Sequence, residues 1–201
     1  MKNLGILLSG RGSNFEAIAK NVAAGKIPGA RIAVVISNKS DAGGLETASR
    51  MGLTVLAIPS KGKARQEHDR LVVAALKEHK VDLVCLAGYM RLISPWCVEQ
   101  FPQQILNIHP SLLPPFPGLE PQEQAFAYGV KVSGCTVHFV DAELDHGVII
   151  LQKTVPVLDS DDEHSLSARI LEQEHIAYSE AINLVLYGKY KIVGRKLLGS
   201  A

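Results

Sequence analysis

Short apolar runs take turns with amphipathic stretches from the start of the chain to beyond its middle, and this alternation leaves few folds open. Leu4–Leu8, Arg31–Ile36, Leu53–Ile58, Val81–Ala87 and a run starting at Ile105 read as buried strands. Between them, Phe15, Ile18, Ala19 and Val22 recur at helical spacing, and Ala42–Met51, stopped by Gly52, and Ala64–Lys77 read as further helices. Strand and helix in strict turn predict an α/β fold around a doubly wound, mostly parallel sheet. Ligands of such sheets sit beyond the carboxyl ends of the strands. Ser9-Gly10, Gly88-Tyr89-Met90-Arg91 and His109-Pro110 all fall there, so they are expected to share one cleft.

The 201 residues suit one domain, with a phosphate-binding half over 1–100 and a catalytic half over 101–190. A net charge of +1 with 20% charged residues gives no basic field for nucleic acid. The first apolar run is too short for a signal peptide and ends in Gly and Arg, and no run reaches transmembrane length, which predicts a cytoplasmic protein without a membrane partner. Cys85, Cys97 and Cys135 are odd in number and far apart, so buried thiols are expected, with neither a disulfide framework nor a zinc site.

After the first strand, Ser9-Gly10-Arg11-Gly12-Ser13-Asn14 leads straight into a helix. Glycines let backbone N–H groups approach an anion, and the positive helix end attracts it. The turn lacks the Lys-Ser/Thr of a Walker loop and the third glycine of a dinucleotide fingerprint, and the second strand ends in Ser37-Asn38 with no acidic residue for a ribose. This favours a monophosphate over NAD or ATP, the alternative being a glycine turn that merely reverses the chain.

Ile105-Leu-Asn-Ile-His-Pro-Ser-Leu-Leu-Pro-Pro115 hides two polar side chains in an apolar run. Two apart on a strand, Asn107 and His109 share a face. Asn offers a donor to an oxyanion and His moves protons near neutral pH, a pair suited to acyl-type transfer or else to a buried polar network. Pro110–Pro121 carries five prolines and reads as a loop in which an X-Pro bond can be cis; Trp96 is expected near it. Gln122–Tyr128 reads as a short helix, and Ser133–Val140 as a strand that puts Thr136 and His138 on one face. An acidic turn, Asp141–Gly147, precedes an apolar strand from Val148 towards Val157. In the last long helix, Asp162–Tyr187, Glu174 lies inside the stripe of Leu166, Ile170, Ala177, Ala181, Leu184 and Val185, where a carboxylate either faces a ligand or snorkels to water from the stripe edge. The basic tail from Lys189 is expected to be peripheral.

Taken together, Gly12-Ser13-Asn14, Gly88-Tyr89-Met90-Arg91, Asn107-Ile-His-Pro-Ser-Leu-Leu-Pro114, Phe116-Pro-Gly-Leu119, Thr136-Val-His138, Leu144-Asp-His-Gly147 and Gln173-Glu-His175 resemble the phosphoribosylglycinamide formyltransferases, over about Asn3 to Lys191. The resemblance implies a Rossmann-like formyltransferase fold and formyl transfer from 10-formyltetrahydrofolate, as co-substrate, to the amine of glycinamide ribonucleotide in purine synthesis. No metal is implied, and the assembly is a monomer or a homodimer. Gly12, Ser13 and Asn14 match the phosphate-binding positions and Glu174 the residue gripping the nucleotide near its ribose. Arg65, Met90, Arg91, Leu92, Ile93, Asn107, Val140 and Asp141 match folate-binding positions.

Asn107, His109 and Asp145 match the catalytic trio. The amine attacks the formyl carbon, and Asn107 meets the charge of the tetrahedral intermediate. His109 acts as general acid/base, and Asp145 tunes His109 or positions a water. His138 is a possible member of this network. Two positions depart from the family pattern: Glu120 stands where a His is usual, and His146 replaces a smaller residue. A deformylase of the same superfamily usually carries an extra N-terminal domain, and a methionyl-tRNA formyltransferase a further C-terminal domain and a basic surface. A sugar-phosphate-binding protein without chemistry is the rival from another class.

Overall fold

The computed structural model describes residues 1–199. The chain divides into two compact units, Met1–Asn107 and the residues from Ile108 onward.

The first unit is the strand-helix alternation read from the sequence: β1 (Lys2–Leu8), α1 (Ser13–Ala23), β2 (Ala30–Ser37), α2 (Gly43–Arg50), β3 (Val55–Ala57), α3 (Arg65–Glu78), β4 (Leu83–Leu86), α4 (Pro95–Gln100) and β5 (Ile105–His109), whose last two residues open the second unit. The strands lie in the order β3-β2-β1-β4-β5, and every pairing given among them is parallel. Asn3 through Leu8 are all buried, as a parallel strand covered on both faces requires. One of those covers is tight: a Cβ on Gly5 would stand 2.6 Å from Leu76 Cδ2 of α3. The order reverses at β1, with β2 on one side and β4 on the other, and the carboxyl ends at such a switch point are where ligands of doubly wound sheets generally sit.

The second unit contains α5 (Pro121–Tyr128), β6 (Val132–Phe139), β7 (Ile149–Pro156), α6 (Glu163–Tyr187), β8 (Tyr190–Val193) and β9 (Lys196–Gly199). β6 and β7 pair antiparallel, and α6 packs across both. That long helix starts at a capping box, where Asp162 accepts from Ser165 N at 2.7 Å and Ser165 Oγ accepts from Asp162 N at 3.0 Å. Its inward face is Leu166, Ile170, Ala177, Tyr178, Ala181 and Ile182, while Leu184 and Val185 of the expected stripe are only half-buried.

Three elements, α4, β8 and β9, escaped the sequence reading. α4 is a six-residue helix announced only by Ser94-Pro95, an N-cap followed by proline. The tail expected to be peripheral does lie at the edge of the sheet, and it forms a hairpin, β8 against β9, with β9 joining β7 in parallel. Trp96 lies on α4, with Arg70 of α3 5.8 Å above its ring. The three cysteines are buried and free, and burial pushes Cys97 and Cys135 up to about 12 and Cys85 higher still.

Candidate active site

Gly12 is the residue on which the first turn depends. It caps α1 with φ 82, and a Cβ there would meet the Gly44 backbone at 3.1 Å, so both its conformation and its surroundings favour glycine. Ser13 follows as the first helical residue and Asn14 is buried on the inner face. This is the cradle geometry read from the sequence, at the N-terminus of α1 beyond β1. The sequence reading passed over what ties it to its neighbours. Ser9 Oγ donates to Asn38 Oδ1 at 2.5 Å and accepts from Met90 N at 2.7 Å, while Ser9 N donates to Gly88 O at 3.0 Å. One buried hydroxyl thus links the carboxyl ends of β1, β2 and β4. The signal for it was Asn38 itself, whose amide also donates to Ser60 Oγ at 3.1 Å.

The run after β4 combines exposed apolar groups with buried polar ones. Met90 and Leu92 are exposed, and Ile93 is half-buried. Arg91 donates to Lys63 O at 3.1 Å, while its Nε and the Tyr89 hydroxyl are buried with no hydrogen-bond partner among the described residues. Burial, and then the Asp69 carboxylate, push the Tyr89 hydroxyl well above its ordinary range. Asp69, on α3 and itself buried, accepts from Ser94 N at 2.6 Å and so fixes the far end of the run. Arg65 is the first residue of α3 and lies exposed.

In the second unit three titratable side chains meet. Asp145 holds Oδ2 3.4 Å from His109 Nδ1 and Oδ1 3.8 Å from His138 Nε2, and its side chain is only 7% exposed. The other nitrogen of each ring faces a carbonyl: His109 Nε2 lies 2.8 Å from Phe116 O, and His138 Nδ1 lies 2.8 Å from Phe139 O. Carbonyls only accept, so those nitrogens carry the protons. For His138 burial dominates and lowers its pKa from 6.5 despite the Phe139 carbonyl and the Asp145 charge. Asp145 itself sits at φ 50, a left-handed conformation that Asp tolerates better than most residues, and it also accepts from Gly118 N at 2.9 Å.

The loop carrying Phe116 and Gly118 is built to stand still. Thr136 Oγ1 donates to Ser111 O at 2.7 Å and accepts from Leu113 N at 3.0 Å, Gln152 donates to Leu113 O at 2.9 Å, and Ser111 Oγ donates to Pro115 O at 2.8 Å. Leu113–Pro114 is the cis bond. Glu120 caps α5 in a left-handed conformation without a side-chain capping bond. Glu174 is 5% exposed on α6, and its charge helps to hold up the thiol of Cys135 on β6. Asn107 is half-buried on β5, and Val140 and Asp141 open the turn that carries Asp145.

A sequence profile described as formyl transferase matches residues 2–182. The phosphoribosylglycinamide formyltransferase of Escherichia coli K12 is 42% identical over 94% of this chain and 90% of its own length. The trifunctional purine biosynthetic protein adenosine-3 of Drosophila melanogaster is 45% identical over 93% of this chain, which spans only 14% of that longer protein. Among solved structures, glycinamide ribonucleotide transformylase 1 from Symbiobacterium toebii superposes with a TM-score of 0.95 at 50% identity, over 99% of this chain and 94% of that one. Phosphoribosylglycinamide formyltransferase from Anaplasma phagocytophilum does so with a TM-score of 0.91 at 41% identity, over 100% and 95%. With the profile spanning nearly all of it and relatives matched almost end to end, this chain belongs to the formyl transferase family, among the phosphoribosylglycinamide formyltransferases.

Proposed function

We propose that this chain transfers the formyl group of 10-formyltetrahydrofolate to the amine of glycinamide ribonucleotide, giving tetrahydrofolate and the formylated nucleotide in purine synthesis. The observation that carries the reading is the contact of His109 Nδ1 with the Asp145 carboxylate, 3.4 Å, in a chain of this family. A buried imidazole beside a buried carboxylate is what proton transfer during acyl exchange needs.

The amine nitrogen attacks the formyl carbon and the carbonyl oxygen takes up negative charge. Asn107, one residue removed from His109 on β5, donates to that oxygen; such a donor is worth about 2.7–4 kcal/mol in acyl transfer. His109, with a proton on Nδ1 as well as Nε2, delivers the Nδ1 proton to the departing folate nitrogen and recovers one from the amine by way of Asp145 or its water. Asp145 holds the imidazole, and either it or a water it positions accepts the proton the amine must lose. His138 lies beside the other oxygen of Asp145, 3.8 Å away, and lines the same network without a separate chemical step.

Gly12, Ser13 and Asn14 take the 5′-phosphate at the N-terminus of α1, and Glu174 accepts from the nucleotide near its ribose. Met90, Leu92 and Ile93 offer apolar surface and backbone groups to the pterin, Arg65 and Arg91 offer positive charge to the folate, and Val140 and Asp141 complete its contacts. The protein works in the cytoplasm on these small molecules, as one domain, without metal, nucleic acid or membrane.

The test is a spectrophotometric assay of formyl loss from 10-formyltetrahydrofolate, run with and without glycinamide ribonucleotide. Turnover that requires the nucleotide is expected. Turnover without it makes the protein a deformylase, and none in either case makes it a binding protein.

A further inference from the structure

We propose that Arg195, on the turn between β8 and β9, is a positioning residue for Asp145: together with His146 and Asp141 it clasps the turn between β6 and β7. This rests on the reading of Asp145 as catalytic.

The clasped turn, residues 140–148, is drawn closed at its base. Phe139 N donates to Val148 O at 2.9 Å at its base, and a Cβ on Gly147 would fall 1.8 Å from Phe139 O, so the two ends of the turn touch. Asp145 keeps its left-handed φ of 50 inside this turn, and such conformations persist where the surroundings over-determine them. The bonds that do so can be followed one by one. Asp141 Oδ1 accepts from Glu143 N at 3.0 Å and Asp141 Oδ2 lies 2.8 Å from His146 Nδ1. A carboxylate only accepts, so Nδ1 carries a proton towards Asp141. Arg195 Nη1 lies against the ring, 2.8 Å from Nε2 and 3.2 Å from Nδ1, and Arg195 Nη2 donates to His146 O.

Carboxylate, ring and guanidinium therefore stand in contact, and the last link comes from outside the turn. An exposed ion pair by itself contributes little. Here the planar guanidinium grips both the ring and the backbone of the residue next to Asp145, which fixes the peptide that follows the carboxylate. His146, one of the two departures from the family pattern, supplies the group Arg195 holds.

Three variants test this. Arg195→Ala is expected to lower kcat about ten- to a hundredfold with both KM values nearly unchanged, since small misplacements of a catalytic group cost that much. His146→Ala, which leaves the hairpin untouched, is expected to do the same. Arg195→Ala added to Asp145→Asn is expected to cost nothing further, because Arg195 acts through Asp145. Amide exchange over 141–148, measured without substrates, is expected to speed up about tenfold or more in both single variants. Full kcat in Arg195→Ala, additive losses in the double variant, or unchanged exchange would each overturn the clasp. A wild-type protein without formyl transfer would overturn the reading of the reaction, and the exchange experiment would still decide the clasp.

Discussion

His109 and Asp145 form a pair whose partners are set by different means. His109 is placed by β5, and its Nε2 is held by the Phe116 carbonyl at 2.8 Å. Asp145 is placed by a turn far along the chain. The Asn-x-His spacing was legible because strand geometry makes it so, whereas Asp145 entered only through family resemblance: no local pattern distinguishes one carboxylate of an acidic turn from another. His109→Ala is expected to lower kcat by about a hundred- to a thousandfold, with folate affinity changed little, the scale of a lost transition-state partner. Asp145→Asn is expected to act in the same direction while keeping the backbone, since Asn also adopts the left-handed region. Steady-state kinetics with both substrates varied would separate the two constants, and a fully active His109→Ala would sink the role given to it. Glu120 makes the opposite case. It faces Glu123, whose carboxyl it holds above the usual range, and it makes no capping bond, so Glu120→His is expected to leave kcat intact in the same assay.

At the scale of the element, turns and caps do the positioning. Gly12 and the helix behind it were readable, because glycine before an amphipathic run has few other uses. The Ser9 hydroxyl that joins three strand ends was not, since its partners Asn38 and Met90 come together only when β1, β2 and β4 lie side by side. Gly12→Ala forces a Cβ against Gly44 at a positive φ, and is expected to raise KM for the nucleotide far more than KM for the folate. The run 89–93 depends on Asp69 in a comparable way. Asp69→Ala leaves the buried Ser94 N–H unpaired, at a cost of about 1–3 kcal/mol. It should appear as a lower Tm together with a raised KM for the folate. A variant that melts and binds like the wild type would show that the run needs no such anchor.

Stability belongs to the whole molecule, and His138 ties it to pH. Burial keeps its pKa below 6.5, so between that value and its own lower pKa the unfolded chain binds the extra proton. The contribution of the neutral ring is thus complete above about pH 6.5 and is lost as the pH falls through and below it. The Tm of the wild type is expected to drop from pH 7.5 to pH 5.5 by more than that of His138→Gln, and equal drops in scanning calorimetry would contradict this. The legibility of the fold follows the same division between buried and exposed. Strands covered on both faces announce themselves as apolar runs, and β1, β2 and β4 were found within a few residues of their ends. β8 and β9 carry alternating exposed positions, Lys191 and Val193 in one and Lys196 and Leu198 in the other, and so read as a tail.

The buried thiols leave the molecule chemically silent towards maleimides at neutral pH, because each of the three native thiols is both covered and protonated. A cysteine introduced at the exposed Glu143 would be the one sulfur that reacts, and a fluorophore placed there would report each opening of the Asp145 turn against a dark background.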